Sequence, residues 1–361
     1  MPRPIHLSAS AIREYLHCPN CFRIAYIEGI RPDVDTESQR MGTNYHKCHE
    51  IHRTQGFDAA VDHLNKSYAA VPPTVTPEEW ERERQTIAGI FAGHVWRYQN
   101  EPIDVIATEI PFRLPLFHPK TGMPISQDDV VRVGKIDQLL RVNGKIMVKD
   151  FKTTSKPIAD GSEFWDHLRL DNQISFYVLA LHDLHASGLL EPYGVTAQDE
   201  IGGAYYDVVH KPSIKPKMLT QADTAALIET GTYFGTKFTI TDLCVVDGVK
   251  TELEQGKKGF AIRETSAMFG ARLLADIYER SEFYYGRREI PRLQRDIVQF
   301  RREIYGMYQC IKQMRDGDWW YRNDQHDNAI LHGTYGPICY GLVDASNGQT
   351  PPGFKRIFKE N

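Results

Sequence analysis

Asn143-Gly144 separates two runs rich in β-branched and apolar residues, 131–142 and 145–152. A two-residue type I′ turn needs positive φ at both central positions, and Asn-Gly adopts it readily. The runs are therefore expected to fold back as an antiparallel hairpin with Val142 facing Lys145. Counting back along both strands brings Asp137 opposite Asp150. Directly opposed residues have Cβ atoms about 5 Å apart, and like charges there repel. A divalent cation with oxygen ligands would neutralise such a pair. Lys152 follows Asp150 by two residues, so it projects from the same strand face. Two carboxylates with a lysine beside them suit hydrolysis of a phosphodiester, where a cation holds the phosphate and the ammonium stabilises developing charge. The turn alone fits equally well with an exposed hairpin whose charges are solvated.

Two helical segments add polar pairs at i, i+4, a spacing that places side chains on one helix face. His46 and Glu50 form one, within a helical pattern over about 36–55. Gln173 and Tyr177 form the other, in a segment after the hairpin. His49 and His52 flank the first pair without making a zinc-protease pattern, and are expected at the surface.

Taken in order, Gly42-x-x-x-His46, Gly134-x-x-Asp137, Asp150-x-Lys152 and Gln173-x-x-x-Tyr177 resemble the RecB-type branch of the PD-(D/E)xK nucleases. Glu109 in Val105-Ile-Ala-Thr-Glu109 matches that family's acid in a preceding strand. The segment beginning at Leu7 resembles its opening helix, and Tyr205 to Ser213 resembles phage-encoded members. The resemblance is good over roughly residues 5–215 and looser beyond. It implies a restriction-endonuclease-like α/β core, a mixed central sheet flanked by helices, with helical N- and C-terminal elaborations. It also implies Mg²⁺ or Mn²⁺ held by His46, Asp137, Asp150 and the backbone carbonyl of Phe151. Lys152 would be the catalytic lysine and Gln173 and Tyr177 would position it or DNA. Glu50 and Glu109 would be supporting acids. The imidazole ligand favours Mn²⁺, which is softer than Mg²⁺.

Many relatives of that type hold an iron–sulfur cluster through one early cysteine and three near the C-terminus. Cys18 fits the first position and Cys339 one of the others, whereas Ile330 and Asp344 stand at cysteine positions. Cys21 and Cys310 fit neither spacing. Four-thiolate ligation needs four placed sulfurs, so no cluster is expected, and Cys18 and Cys339 read as a buried thiol pair or as core packing.

The chain has 361 residues, 41% apolar and 25% charged, an ordinary balance for a globule. Six irregularly spaced cysteines make no disulfide framework. No run is apolar enough to span a membrane, and the start lacks a signal-peptide core; a cytoplasmic protein is expected. A formal charge of −4 is unlike that of a protein that coats DNA, so any DNA contact must be local.

Three regions are expected within one compact unit: a helical N-terminal region (residues 1–100) carrying His46, a nuclease core (101–246), and a helical region and tail (247–361). Strands are expected at 103–114, 203–210 and 236–246, and helices at 8–30, 163–187 and 220–231. A long helical stretch, 264–317 with breaks near Gly286 and Pro291, carries many arginines interleaved with aromatics. Arg295, Arg301 and Arg302 are its candidate DNA contacts, although Ile297, Phe300, Ile304 and Met307 make an ordinary core stripe. The whole reads as a metal-dependent DNA nuclease for ends or single strands, in repair, recombination or phage DNA processing. The alternatives are an inactive nuclease-fold DNA-binding or assembly protein and a hydrolase of another phosphoester.

Overall fold

The computed structural model describes residues 3–101, 103–257, 259–323, 333–345 and 350–358. Ile330 lies outside them. In chain order come β1 (Ile5–Leu7), α1 (Ala9–His17), α2 (Pro19–Phe22), β2 (Ile30–Pro32), α3 (Glu37–Gln55), α4 (Phe57–Ser67) and α5 (Pro77–Tyr98). Next are β3 (Asp104–Pro115), β4 (Val130–Val142), β5 (Lys145–Thr154), α6 (Glu163–Leu168), α7 (Asn172–Ala186), β6 (Glu200–His210) and α8 (Gln221–Thr230). Short strands β7–β13 lie within 232–262. They are followed by α9 (Ser266–Glu279), α10 (Ser281–Tyr284), β14 (Tyr285–Ile290), α11 (Gln294–Asp316), α12 (Gly336–Cys339) and β15 (Phe354–Arg356).

The turn forms as its dipeptide dictates. Asn143 and Gly144 both take positive φ, 50° and 79°, and Val142 pairs with Lys145. The central sheet runs β1-β4-β5-β6-β14, with β3 also on β4. It is mixed: β1 with β4 and β5 with β6 are parallel, while β3 with β4, β4 with β5 and β6 with β14 are antiparallel. Helices cover both faces, so the α/β class is as expected. On one face α1, α7 and α11 bury Ile12, Phe176, Phe300 and Ile304 against Val148 and Val208. On the other, α3, α4, α5 and α9 bury Tyr45, Leu64, Phe91 and Leu273 around Phe151 and Val209.

Local chemistry sets the helix starts. Thr36 and Thr76 each head a capping box, with Gln39 and Glu79, and Pro77 opens α5. Arg40 of α3 grips Glu83 of α5 through Nη2 at 2.8 Å, and Tyr68 donates to the same carboxylate. That clamp fixes the helix that carries His46. On the opposite layer Asp183 of α7 binds buried Arg132 of β4 and also Arg301 of α11, the latter at 2.7 Å.

Several expected elements differ. The segment 163–187 is two helices, because Asp171 leaves the helix to cap α7 through Gln173 N. The expected helix over 8–30 breaks at Cys18-Pro19, continues as α2 and ends in a π-helical turn. The strand expected over 236–246 is three pieces, β8 (Thr236–Lys237), β9 (Ile240–Asp242) and β10 (Val245–Val246). Most consequentially, Tyr285–Ile290 is a strand pairing with β6, not a bend between helices. Arg287 and Arg288 thereby leave the helical arginine set: Arg287 enters a buried ion cluster and Arg288 pairs with Asp160.

Candidate active site

The β4–β5 ladder runs from Val142–Lys145 to Gln138–Lys149 and ends one step short of Asp137 and Asp150. Since β3 covers one edge of β4 along its length, β1 and β5 must share the other. β5 takes 138–142 and β1 takes 130–132, which leaves a gap at 133–137. Asp137 and Asp150 sit where the two strands part. Gly134 belongs to this gap, where a Cβ would come within 2.5 Å of the Phe112 ring.

His46 reaches the gap from α3, on the other layer. Its Nδ1 lies 3.1 Å from Asp137 Oδ2, and the same oxygen accepts from Phe151 N at 3.5 Å. Burial alone would lower the His46 pKa. The bond to Asp137, the field of Asp150 and a bond to the Phe151 backbone together raise it. His46, Asp137 and the Phe151 backbone are thus brought together.

Asp150 turns toward α7. Gln173 donates Nε2 to Asp150 Oδ1 at 2.9 Å, and its Oε1 accepts from Lys152 Nζ at 2.8 Å. Asp150 Oδ2 is buried and has no hydrogen-bond partner. Burial pushes the Asp150 carboxyl up to about 6, against the pull of Lys152 and with the help of Asp137. Tyr177, one turn after Gln173, has its phenol raised by burial and by the fields of Asp150 and Asp137. Two supporting acids have other partners. Glu50 binds Lys47 at 2.5 Å, and Glu109, at φ 55°, pairs with Lys135.

An orphaned buried carboxylate oxygen, a second carboxylate, an imidazole and a nearby backbone carbonyl form a hard, oxygen-rich donor set that fits Mg²⁺ or Mn²⁺. The set is open: among the described residues, the one group of three candidate ligands with all donor atoms within 4.8 Å is Cys18, Cys21 and Cys339. That trio corrects the sequence expectation of a thiol pair. Cys21 lies on α2, and its Sγ is 3.1 Å from that of Cys339. Cys310 is exposed.

Arg295 and Arg302 are exposed on α11, Arg295 beside Asp296 at 3.7 Å. Arg301 is held by Asp183. Sequence reasoning missed Tyr206, which pairs with Asp150 across β5 and β6 and whose ring lies 6.0 Å from Lys152 Nζ. Only the strand register reveals it. The expected surface position of His49 is also wrong: it is buried, stacked on Phe151 at 4.3 Å. The i, i+3 step from His46 turns it into the layer between helix and sheet.

A mixed sheet with parted central strands, carrying two aspartates and a lysine in the gap, defines a nuclease core. A family model for the PD-(D/E)XK nuclease superfamily matches residues 6–319. The chain belongs to that superfamily. No curated protein matches it. Among the described residues no helix is long and apolar enough to cross a membrane.

Proposed function

We propose that the protein is a divalent-cation-dependent DNA nuclease of the RecB-like type, acting on DNA ends or single strands. The observation that carries this reading is the Gln173 bridge between Asp150 and Lys152, set beside the His46–Asp137 pair. His46, Asp137, Asp150 and the Phe151 carbonyl would hold Mg²⁺ or Mn²⁺. Such an ion, when bound, acidifies a water and offsets phosphate charge.

The chain's own groups supply the rest. Gln173 fixes which way Asp150 and Lys152 face, since its amide donates to one and accepts from the other. With Gln173 oxygen occupying one ammonium hydrogen, two remain for a phosphate oxygen and an attacking water. Lys152 thereby orients the nucleophile and stabilises charge as the leaving oxygen departs. His46, bonded to Asp137, holds that carboxylate toward the gap. The exposed Arg295 and Arg302 would meet DNA phosphates on α11.

The test is degradation of end-labelled single- and double-stranded DNA, free or blocked at either end, with Mg²⁺, Mn²⁺ or EDTA. Cation-dependent loss of label, halted by a block at one end, is the expected result. DNA retention without cleavage under every condition would overturn the enzymatic reading in favour of a binding or assembly role.

A further inference from the structure

The face of the sheet turned away from Asp150 carries a second polar cluster. Strand alternation and register place Lys149 of β5, Asp207 of β6 and Arg287 of β14 together there. Asp207 Oδ1 is 2.8 Å from His94 Nε2, and Oδ2 is 2.8 Å from Lys149 Nζ and 2.9 Å from Arg287 Nε. Lys149, Asp207 and His94 are buried, and Arg287 is nearly so. One buried carboxylate thus meets a lysine and an arginine, so the second counter-charge must come from outside the buried layer. The next acid, Glu101, is half-exposed and 3.8 Å from Arg287 Nη1. A buried cation whose second partner is this long and this exposed is weakly compensated.

His94, Lys149, Arg287 and Glu101 line a cavity of about 490 Å³, a volume in the range of small-molecule sites. Four of its buried polar atoms have no hydrogen-bond partner: Arg287 Nη1, Gln138 Oε1, His49 Nε2 and His52 Nδ1. Arg287 needs an acceptor and Gln138 Oε1 needs a donor. Water can serve each of them singly, but water adds no negative charge to the buried layer. An anion that also carries a hydroxyl or amine hydrogen does both. A phosphate oxygen accepts strongly from the free Nη1 of a guanidinium beside an ammonium.

We propose that this cavity binds a small phosphorylated ligand, with its phosphate on Arg287 and Lys149 and a hydroxyl or amine donor at Gln138. Free phosphate and a mononucleotide share this chemistry. The site lies back to back with the candidate active site. Phe151, between Asp150 and Lys152, forms its wall, stacked on His49 and 4.1 Å from the Lys149 ammonium. The inference stands whether or not the chain cleaves DNA, because it is tested by binding alone.

Calorimetric titration of the full chain in EDTA with inorganic phosphate, deoxyadenosine 5′-monophosphate and sulfate is the experiment. Saturable binding of phosphate or the mononucleotide is expected, with sulfate, which offers no hydrogen to Gln138, weaker by about tenfold. Tighter binding of the mononucleotide would identify a nucleotide as the ligand; equal binding would identify phosphate itself. Gln138→Leu, which keeps the side chain's bulk, and Arg53→Glu, at the exposed rim, should each weaken binding about tenfold. Asp150→Asn should leave it unchanged. Arg53→Glu keeps the test valid should Gln138→Leu fail to fold. No binding of either probe would overturn the proposal. So would binding lost in Asp150→Asn and kept in the other two variants.

Discussion

Lys152 Nζ donates to Gln173 Oε1 at 2.8 Å, joining the lysine of β5 to the first turn of α7. The contact orients the ammonium without neutralising it. In the proposed mechanism the lysine acts on water and transition-state charge, so Lys152→Ala should abolish cleavage while leaving DNA binding near wild type. Gln173→Ala should slow cleavage by about 10–100-fold, the usual cost of losing a group that orients another. Single-turnover rates and fluorescence-anisotropy binding, measured on the same variants, check this. Wild-type turnover in Lys152→Ala would remove it from the mechanism.

The arginines of α11 should separate into two kinds. Arg295 and Arg302 are exposed, whereas Arg301 shares Asp183 with buried Arg132. Replacing Arg295 and Arg302 by Ala should weaken DNA binding for all sequences alike and flatten its salt dependence, because fewer counterions are released. Arg301→Ala should chiefly lower the melting temperature, since it loosens α11 from α7. Binding isotherms at several salt concentrations decide. An unchanged slope in the double variant would place the DNA path elsewhere.

The difference between Arg301 and its neighbours shows what one-dimensional reading omits. The hairpin was legible because Asn-Gly fixes its own backbone and strand pairing then follows by counting. His46, Gln173 and Asp150 were legible as an ordered set. Their partners were not, because Arg132, Asp183 and Arg301 are joined only through tertiary packing. β14 was missed for a related reason. Tyr285–Ile290 lies between helices and holds two adjacent arginines, so nothing local marks it as a strand. Its pairing with β6 is what makes it one. The Cys18–Cys21–Cys339 trio depends likewise on the tail returning to α2.

Asp207→Asn should destabilise the protein by about 3–5 kcal/mol, because Lys149 and Arg287 would stay buried without their counter-ion. Urea unfolding measures the loss. The acid dependence has a definite sign. Burial would raise the Asp207 carboxyl, but His94, Lys149 and Arg287 hold it well below the usual range. Its stabilisation is present above the unfolded carboxylate value of about 3.9 and is lost as pH falls through the folded value. Burial also lowers His94 and His49. Below about pH 6.5 the unfolded chain takes up protons that these folded rings refuse, so stability starts to fall there. His46, Asp150 and Glu14 are raised and act with opposite sign, favouring the folded state at lower pH, but they are three groups against six, since burial lowers His6, His52, His182 and His210 as well. A melting temperature that rises from pH 7 to pH 5 would contradict this.

Cys18, Cys21 and Cys339 place three sulfurs within 4.8 Å of one another in a buried cluster, where Asn20 Nδ2 also donates to Cys339 Sγ at 3.3 Å. A four-thiolate iron–sulfur cluster needs one more sulfur. Among the described residues, the remaining cysteines are placed elsewhere: Cys48 beside the Ala60 carbonyl, Cys244 in the small strand region and Cys310 exposed on α11. The protein purified without air should therefore be colourless and free of iron, with four thiols, these three and that of buried Cys48, protected from alkylation until it unfolds. Metal analysis and timed alkylation read by mass spectrometry test both expectations. A brown protein with about four irons per chain would show that a non-cysteine group completes the site. Replacing Cys21 by Ser should then bleach it, because Cys21 bridges α2 to Cys339 and no other sulfur among the described residues stands close enough to take its place.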